Sequence, residues 1–392
     1  MPAPDSTATE PLRFAHPFFT DTPPAARAAG PGGLTRMLDF IQQRLQPIPK
    51  PRGESVMALA DIIGAAGVQE IVASGKLVFH SVGDTGRGTD SPQEDVAEAM
   101  ARDFDVAQPG KSPAFFFHLG DVIYGPGKDG LYRTEFYEPY RHYPGKIIAI
   151  PGNHDGEVFP NTDPETLKAF AANFCTTTPV VPPIAGTIFR QTMNLPGVYW
   201  MLDAPFAHVI GLYSNAAENP GFISGPIPGD RQKLWLVKRL KAIKAERDAG
   251  QRKALVVATH HPPYTSGGHG PSTVMLADID DAFTLAKMLP DLFLSGHSHN
   301  YQRYTRKQTL AGTNWQIPYI VAGCGGRNNS SVPPATGQTV GDHTYVKSRK
   351  GFGFLRLTAS ADKLIVKCVS VDGTTIGEFD SLSVDLGHHT TT

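Results

Sequence analysis

Five stretches of the chain put metal-competent side chains directly after an apolar run. They are GDTG with Asp84, GDVIY with Asp121 and Tyr124, PGNHD with Asn153, His154 and Asp155, HHPP with His260 and His261, and GHSH with His297 and His299. Carboxylate, amide carbonyl and imidazole donors without thiolate suit hard or borderline first-row ions such as Fe, Mn and Zn, and argue against Cu(I) or an iron–sulfur cluster. Asp84, Asp121, Tyr124, Asn153, His260, His297 and His299 are more donors than one ion accepts. With water they fill two sites sharing a bridging carboxylate, the arrangement used for phosphoryl chemistry with ions about 3.5–4 Å apart.

The elements that must position these residues are short. The runs 76–82, 113–119, 146–150, 254–259 and 291–296 are apolar with little alternation, as strands buried on both faces are. Helical patterns over 92–104 and 230–248 separate them, the second placing Leu234, Val237, Leu240 and Ile243 on one stripe. Ligands of an open α/β sheet gather beyond the carboxyl ends of its strands, so five strands ending in Asp, Asp, Asn, His and His predict one shared site. Residues 197–215 read as a pair of strands and 352–384 as a β meander. The expected class is α/β (α+β), with two mixed sheets packed together and covered by helices. Residues 1–75 are expected to form a helical and irregular extension on the core, with helices near 34–45 and 54–67. A catalytic domain over 76–385 and a disordered tail over 386–392 complete the expected division.

Bulk composition narrows the function classes. Lys+Arg 36 against Asp+Glu 37 leaves a net charge of −1, so no global field draws the protein to nucleic acid or an anionic membrane. The cysteines, Cys175, Cys324 and Cys368, are odd in number and far apart, which fits neither a disulfide framework nor a thiolate zinc site. No stretch approaches the roughly 20 apolar residues of a membrane span, and the N-terminus shows no secretory leader. The default expectation is a cytoplasmic protein, with periplasmic or secreted placement open to a chain whose leader has been removed.

The ordered motifs GD, GDxxY, GNHD, H and GHxH, over about 80–303, resemble the calcineurin-like metallophosphoesterase superfamily. The usual first motif there is Asp-x-His; Asp84-Thr85-Gly86 lacks the histidine, which is similar to the purple acid phosphatase branch, where a tyrosine of GDxxY takes its place. GHSHNYQR, IPYIVAGCGGRNN (317–329) and His269, nine residues after His260, extend the likeness. The resemblance implies a four-layer αββα sandwich and a dinuclear phosphatase. It implies Asp84, Tyr124 and His299 on a first ion, Asn153, His260 and His297 on a second, and Asp121 bridging. The implied pair is Fe(III) with Fe(II), Zn or Mn, and a metal-bound hydroxide would attack the phosphorus of a small phosphorylated substrate in line. His154 and His269 would contact phosphate or protonate the leaving oxygen, with Asp155 orienting His154 or a ligand histidine. Plant-type members of the branch carry an N-terminal β-sandwich, which residues 1–75 do not resemble.

Other readings stand beside these. Tyr124 is either a phenolate ligand or a neutral hydrogen-bond donor, and His261 reads as a packing or supporting residue. His80 and His118, within strands, read as satisfied core histidines. GPGKDG and GDTGRG lack the GK[ST] ending of a phosphate loop. The rival activities are a phosphodiesterase on nucleotides or lipid headgroups and a non-catalytic metal-containing protein that binds a phosphorylated ligand. A protein Ser/Thr phosphatase is disfavoured, because GDVIYG lacks the GDxVDRG continuation.

Overall fold

A computed structural model describes residues 45–105, 107–125, 130–157 and 165–392. The helix expected over 34–45 lies outside the described residues except for Leu45. In chain order the strands are β1 (Val56–Ala58), β2 (Leu77–Val82), β3 (Phe115–His118), β4 (Lys146–Ala149), β5 (Trp200–Ala204), β6 (Ala207–Gly211), β7 (Ala254–Ala258) and β8 (Leu292–Ser295). Then follow β9 (Tyr301–Leu310), β10 (Thr313–Ala322), β11 (Thr339–Val340), β12 (His343–Arg349), β13 (Phe352–Ala359), β14 (Lys363–Asp372), β15 (Thr375–Asp385) and β16 (Thr390–Thr391). The helices are α1 (Ala60–Ser74), α2 (Pro92–Ala101), α3 (Asn153–Gly156), α4 (Lys168–Phe174), α5 (Arg231–Asp248) and α6 (Thr273–Ala286).

The strands form two mixed sheets with helices packed against them, as expected. One sheet runs β1-β5-β6-β7-β8-β10-β9-β12-β11 and the other β16-β15-β14-β13-β2-β3-β4. Strands β2, β3 and β4 are mutually parallel, as are β6, β7 and β8. The sheets meet through buried aromatic rings: Phe117 of β3 packs edge-on against Trp200 of β5 with centroids 5.2 Å apart. The Trp200 indole donates to the carbonyl of Ala149 in β4 at 2.9 Å, so its polar edge is satisfied within the apolar seam. Near the carboxyl ends of β2 and β10 the backbones cross-link, Gly83 N–H donating to Ala322 C=O at 2.9 Å.

Local chemistry accounts for the helix starts and for three departures from expectation. Ser91 caps α2 by accepting from Gln93 N–H, with Pro92 in the first turn and Glu94 and Asp95 facing the helix dipole. The stretch expected as helix 54–67 instead begins with β1, which buries Met57 while pairing in parallel with β5 as the edge strand of that sheet; helix starts only at Ala60 and kinks at Gly64, φ 79°. Along α5 the expected Leu240 and Ile243 are buried, but in the first turns Trp235 and Leu236 take the buried positions, while Leu234 is 67% exposed and Val237 half-buried. Trp235 sets that placement, its indole donating to Glu54 C=O at 2.8 Å. The tail is ordered rather than disordered. Thr390–Thr391 pairs with β15, and Thr391 Oγ1 donates to Gln316 C=O of β10 at 2.9 Å, so backbone pairing within one sheet and a hydroxyl bond across the seam hold a polar segment with no apolar pattern.

Candidate functional site

The loops following β2, β3, β4, β7 and β8 converge at the seam between the sheets and bring the sequence-selected residues into one cluster. Asp84, Asp121, Asn153, His260, His297 and His299 are buried, and Tyr124, His154 and His269 are half-buried at its mouth. Asp84, Asp121 and His297 all take left-handed backbone conformations, with φ of 59°, 53° and 66°. Such conformations cost of order 1–3 kcal/mol each and persist only where surrounding structure imposes them. The glycines of the motifs are required by close approach. A Cβ at Gly296 would lie 2.5 Å from Oδ2 of Asp84, and one at Gly152 would overlap Oδ1 of Asp121.

The geometry divides into two overlapping groups. In the first, Tyr124 O–H donates to Asp84 Oδ1 at 3.1 Å and lies 3.0 Å from His299 Nε2, which is 3.5 Å from Asp84 Oδ1. In the second, His260 Nε2 is 3.1 Å from Asn153 Oδ1 and 3.3 Å from Asp121 Oδ2, and His297 joins Asp121 and His260 within 4.8 Å. His260 Nε2 is also 4.0 Å from Asp84 Oδ1, so the two groups adjoin. The distal ring nitrogens are committed outward: His260 Nδ1 to Leu119 C=O at 2.9 Å and His299 Nδ1 to Asn328 C=O at 2.8 Å. A carbonyl can only accept, so each Nδ1 carries the proton and each Nε2 turns a lone pair inward, as metal-binding imidazoles do.

The electrostatics fit cations. Burial raises the Asp84 carboxyl to about 7, with the neighbouring Asp121 carboxylate adding to the rise. His297 Nε2 is buried with no hydrogen-bond partner, and its ring is held well below the ordinary histidine range by burial and then by the imidazoles around it. The buried Asp84 carboxylate and the partnerless buried nitrogen of His297 are costly as they stand, and divalent or trivalent ions would satisfy both. Asp84, Tyr124 and His299 could hold one ion, Asn153, His260 and His297 another, with Asp121 within reach of the second group.

Around these donors sit the remaining residues. His154 N–H donates to Asp121 Oδ1 at 3.0 Å, and its ring lies 4.7 Å from that of Tyr124, with Nδ1 3.4 Å from Glu157. Burial opposes charge on that ring, but Asp121 and then Glu157 and Glu218 raise it to about 9. His269 stands on the other group, 3.9 Å from the His297 ring. Asp155, expected to orient a histidine, instead binds backbone: its carboxylate accepts from Gly152 N–H at 2.8 Å, Val122 at 3.2 Å and Ile123 at 3.4 Å, tying the Asp121 loop to the Asn153 loop. His261 braces the wall through Ser214 Oγ and Ala217 C=O, both at 2.8 Å. His80 and His118 are satisfied in the core by Asp103 and Thr85 respectively, each at 2.9 Å.

Two residues escaped the sequence reading. Glu218 accepts from Asn153 Nδ2 at 3.2 Å and lies 3.4 Å from His269 Nδ1. The Arg327 guanidinium lies 4.1 Å over the Tyr124 ring while donating to Gly86 C=O at 3.0 Å. Glu218 lies in no motif, and Arg327 falls within IPYIVAGCGGRNN, the stretch 317–329 quoted above, without being singled out there. Glu218 does follow β6, which is parallel to β7, so the rule that strand carboxyl ends carry the site reaches it as well.

Comparison with known proteins agrees with this architecture. The profile of the calcineurin-like phosphoesterase family matches residues 77–301, more than half of the chain. Among solved structures, PhoD is similar at 12% identity with a TM-score of 0.50, the match covering 81% of this chain and 71% of that one. GAP50, described as the anchor in the inner membrane complex of Plasmodium, is matched at 14% identity and a TM-score of 0.49, over 78% of this chain and 89% of the other. At 12% identity the likeness to PhoD is one of fold.

Proposed function

Since the chain belongs to the calcineurin-like phosphoesterase family, a family of metal-dependent phosphoric ester hydrolases, we propose that it is a dinuclear phosphomonoesterase of the purple acid phosphatase type. The observation that carries this is the Tyr124 hydroxyl, seated between Asp84 Oδ1 at 3.1 Å and His299 Nε2 at 3.0 Å, where the first group would otherwise be one donor short. Asp84, Tyr124 and His299 would hold Fe(III), and Asn153, His260 and His297 would hold Fe(II), Zn or Mn, with Asp121 available to both. When bound, the ions supply Lewis acidity at phosphorus and acidify the attacking water.

The chain's own residues do the rest. Leu119 and Asn328 carbonyls fix the tautomers of His260 and His299, so neither ring turns away. Asp155 keeps the two loops that deliver Asp121 and Asn153 in register. His154, half-buried beside Tyr124 and backed by Glu157, holds a proton for the leaving oxygen of a small phosphorylated substrate. His269, beside His297, contacts the nonbridging oxygens from the second group's side.

The test is metal content and a visible absorption spectrum on protein purified without chelator, followed by p-nitrophenyl phosphate and bis-p-nitrophenyl phosphate turnover. About two ions per chain including iron are expected, with a charge-transfer band that disappears in Tyr124→Phe, and faster monoester than diester hydrolysis. Two ions without the band would remove the phenolate, and a dominant diester rate would remove the monoesterase assignment. Phosphate binding without turnover of either ester would refute catalysis.

A further inference from the structure

Glu218 stands where its carboxylate decides how two site residues are presented. A carboxylate only accepts, so the Asn153 amide must face it with Nδ2, at 3.2 Å. That orientation leaves Asn153 Oδ1 turned to the centre, 3.1 Å from His260 Nε2. The other carboxylate oxygen lies 3.4 Å from His269 Nδ1, and the His269 ring sits 3.9 Å from His297. Glu218, His269 and His297 offer ligand atoms within 4.8 Å of one another, so the carboxylate borders the second group directly.

The loop that carries Glu218 is built to hold it there. Tyr213 N–H donates to Gln232 Oε1 at 2.9 Å, Phe222 N–H to Ser214 C=O at 2.9 Å, and Gly221 N–H to Ser272 Oγ at 3.0 Å. The carbonyl of Ala217, adjacent to Glu218, meets His261 Nε2 at 2.8 Å, while His261 Nδ1 meets Ser214 Oγ at 2.8 Å. The second imidazole of the HHPP motif thus serves the loop opposite, and its neighbour His260 serves the centre.

We propose that Glu218 is a positioning residue for the second ion: it selects the Asn153 amide orientation that presents Oδ1 and anchors His269 beside His297. This rests on the dinuclear reading above. Without Glu218 the amide is free to turn its NH₂ inward, where it offers a metal nothing. Outer-sphere partners of this kind typically change metal affinity 10–100-fold when removed.

The experiment is chelator-competition titration of both ions on wild-type protein, Glu218→Ala, Asn153→Ala and the double variant, with melting of the chelator-treated forms as a check on folding. Glu218 is 22% exposed, so alanine leaves the core intact. The expected result is a second-ion affinity about 10–100-fold weaker in Glu218→Ala, a first-ion affinity near wild type, and no additional loss when Glu218→Ala is added to Asn153→Ala. Glu218→Gln, which keeps an acceptor oxygen for Asn153, is expected to restore most of the affinity. Unchanged second-ion binding in Glu218→Ala, or an equal loss in the Asn153→Ala background, overturns the proposal. A wild-type protein that binds fewer than two ions overturns the dinuclear reading itself, which the same titration reveals first.

Discussion

Replacing Asp84 by Asn should stabilise the metal-free protein and abolish its stabilisation by the first ion. Asp84 is fully buried near Asp121, and burial lifts its carboxyl from the ordinary ~3.9 to about 7. A folded-state value above the unfolded one means the native chain holds the extra proton between those limits, so stability falls as pH rises through about 4 to 7 and levels off above. The span is about three pH units, a ceiling of ~4 kcal/mol at 1.36 kcal/mol per unit. Asp84 also accepts from His297 N–H at 2.7 Å and from the Tyr124 hydroxyl, and an amide keeps only one of those acceptors in place, which returns ~1 kcal/mol. In chelator at pH 8, urea denaturation should therefore show Asp84→Asn more stable by about 2–3 kcal/mol, the gain vanishing near pH 4. With the first ion at about 100 times its dissociation constant the wild type should gain ~2.7 kcal/mol from that site and the variant almost nothing from it, closing the gap between them. A variant less stable than wild type in chelator at pH 8 would refute the reasoning, since the Asp84 carboxylate would then not be a cost that ions relieve.

Asp155→Ala should lose about 2–3 kcal/mol in urea denaturation even without metal, because it strands backbone donors of Gly152, Val122 and Ile123, and should also release metal more readily as the two loops separate; unchanged stability would contradict the anchoring role. His80 is buried and its pKa is lowered, chiefly by burial, so its neutral form is favoured in the fold. Stability from this group is present above ~6.5 and is lost as pH falls, at up to ~1.4 kcal/mol per pH unit. His80→Gln should flatten the stability profile below about pH 6.5, and a profile parallel to wild type would locate the acid sensitivity elsewhere.

The chemistry of the centre was legible because it is carried by residue type and chain order. Strand ends followed by Gly-Asp, Gly-Asn and Gly-His identify donors without any coordinates, and the glycines prove to be demanded by the carboxylates they touch. The strands themselves were legible as apolar runs, since burial on both faces removes alternation. What only the tertiary structure decided are the contacts made by residues without a motif. The phase of α5 turns on one indole reaching Glu54, β1 forms because β5 offers an open edge, and Thr390–Thr391 is held by pairing that its polar composition does not advertise. The resemblance implies that Asp155 orients a histidine, yet a carboxylate accepting from three backbone N–H groups serves the loops instead. Glu218 and Arg327 reach the site from loops remote in sequence from the metal-type motifs they touch. Ligand identity is a property of a side chain and its strand, so sequence alone carries it; ligand orientation depends on which distant carbonyl or carboxylate faces each ring and amide, and that is settled only when the two sheets close on one another.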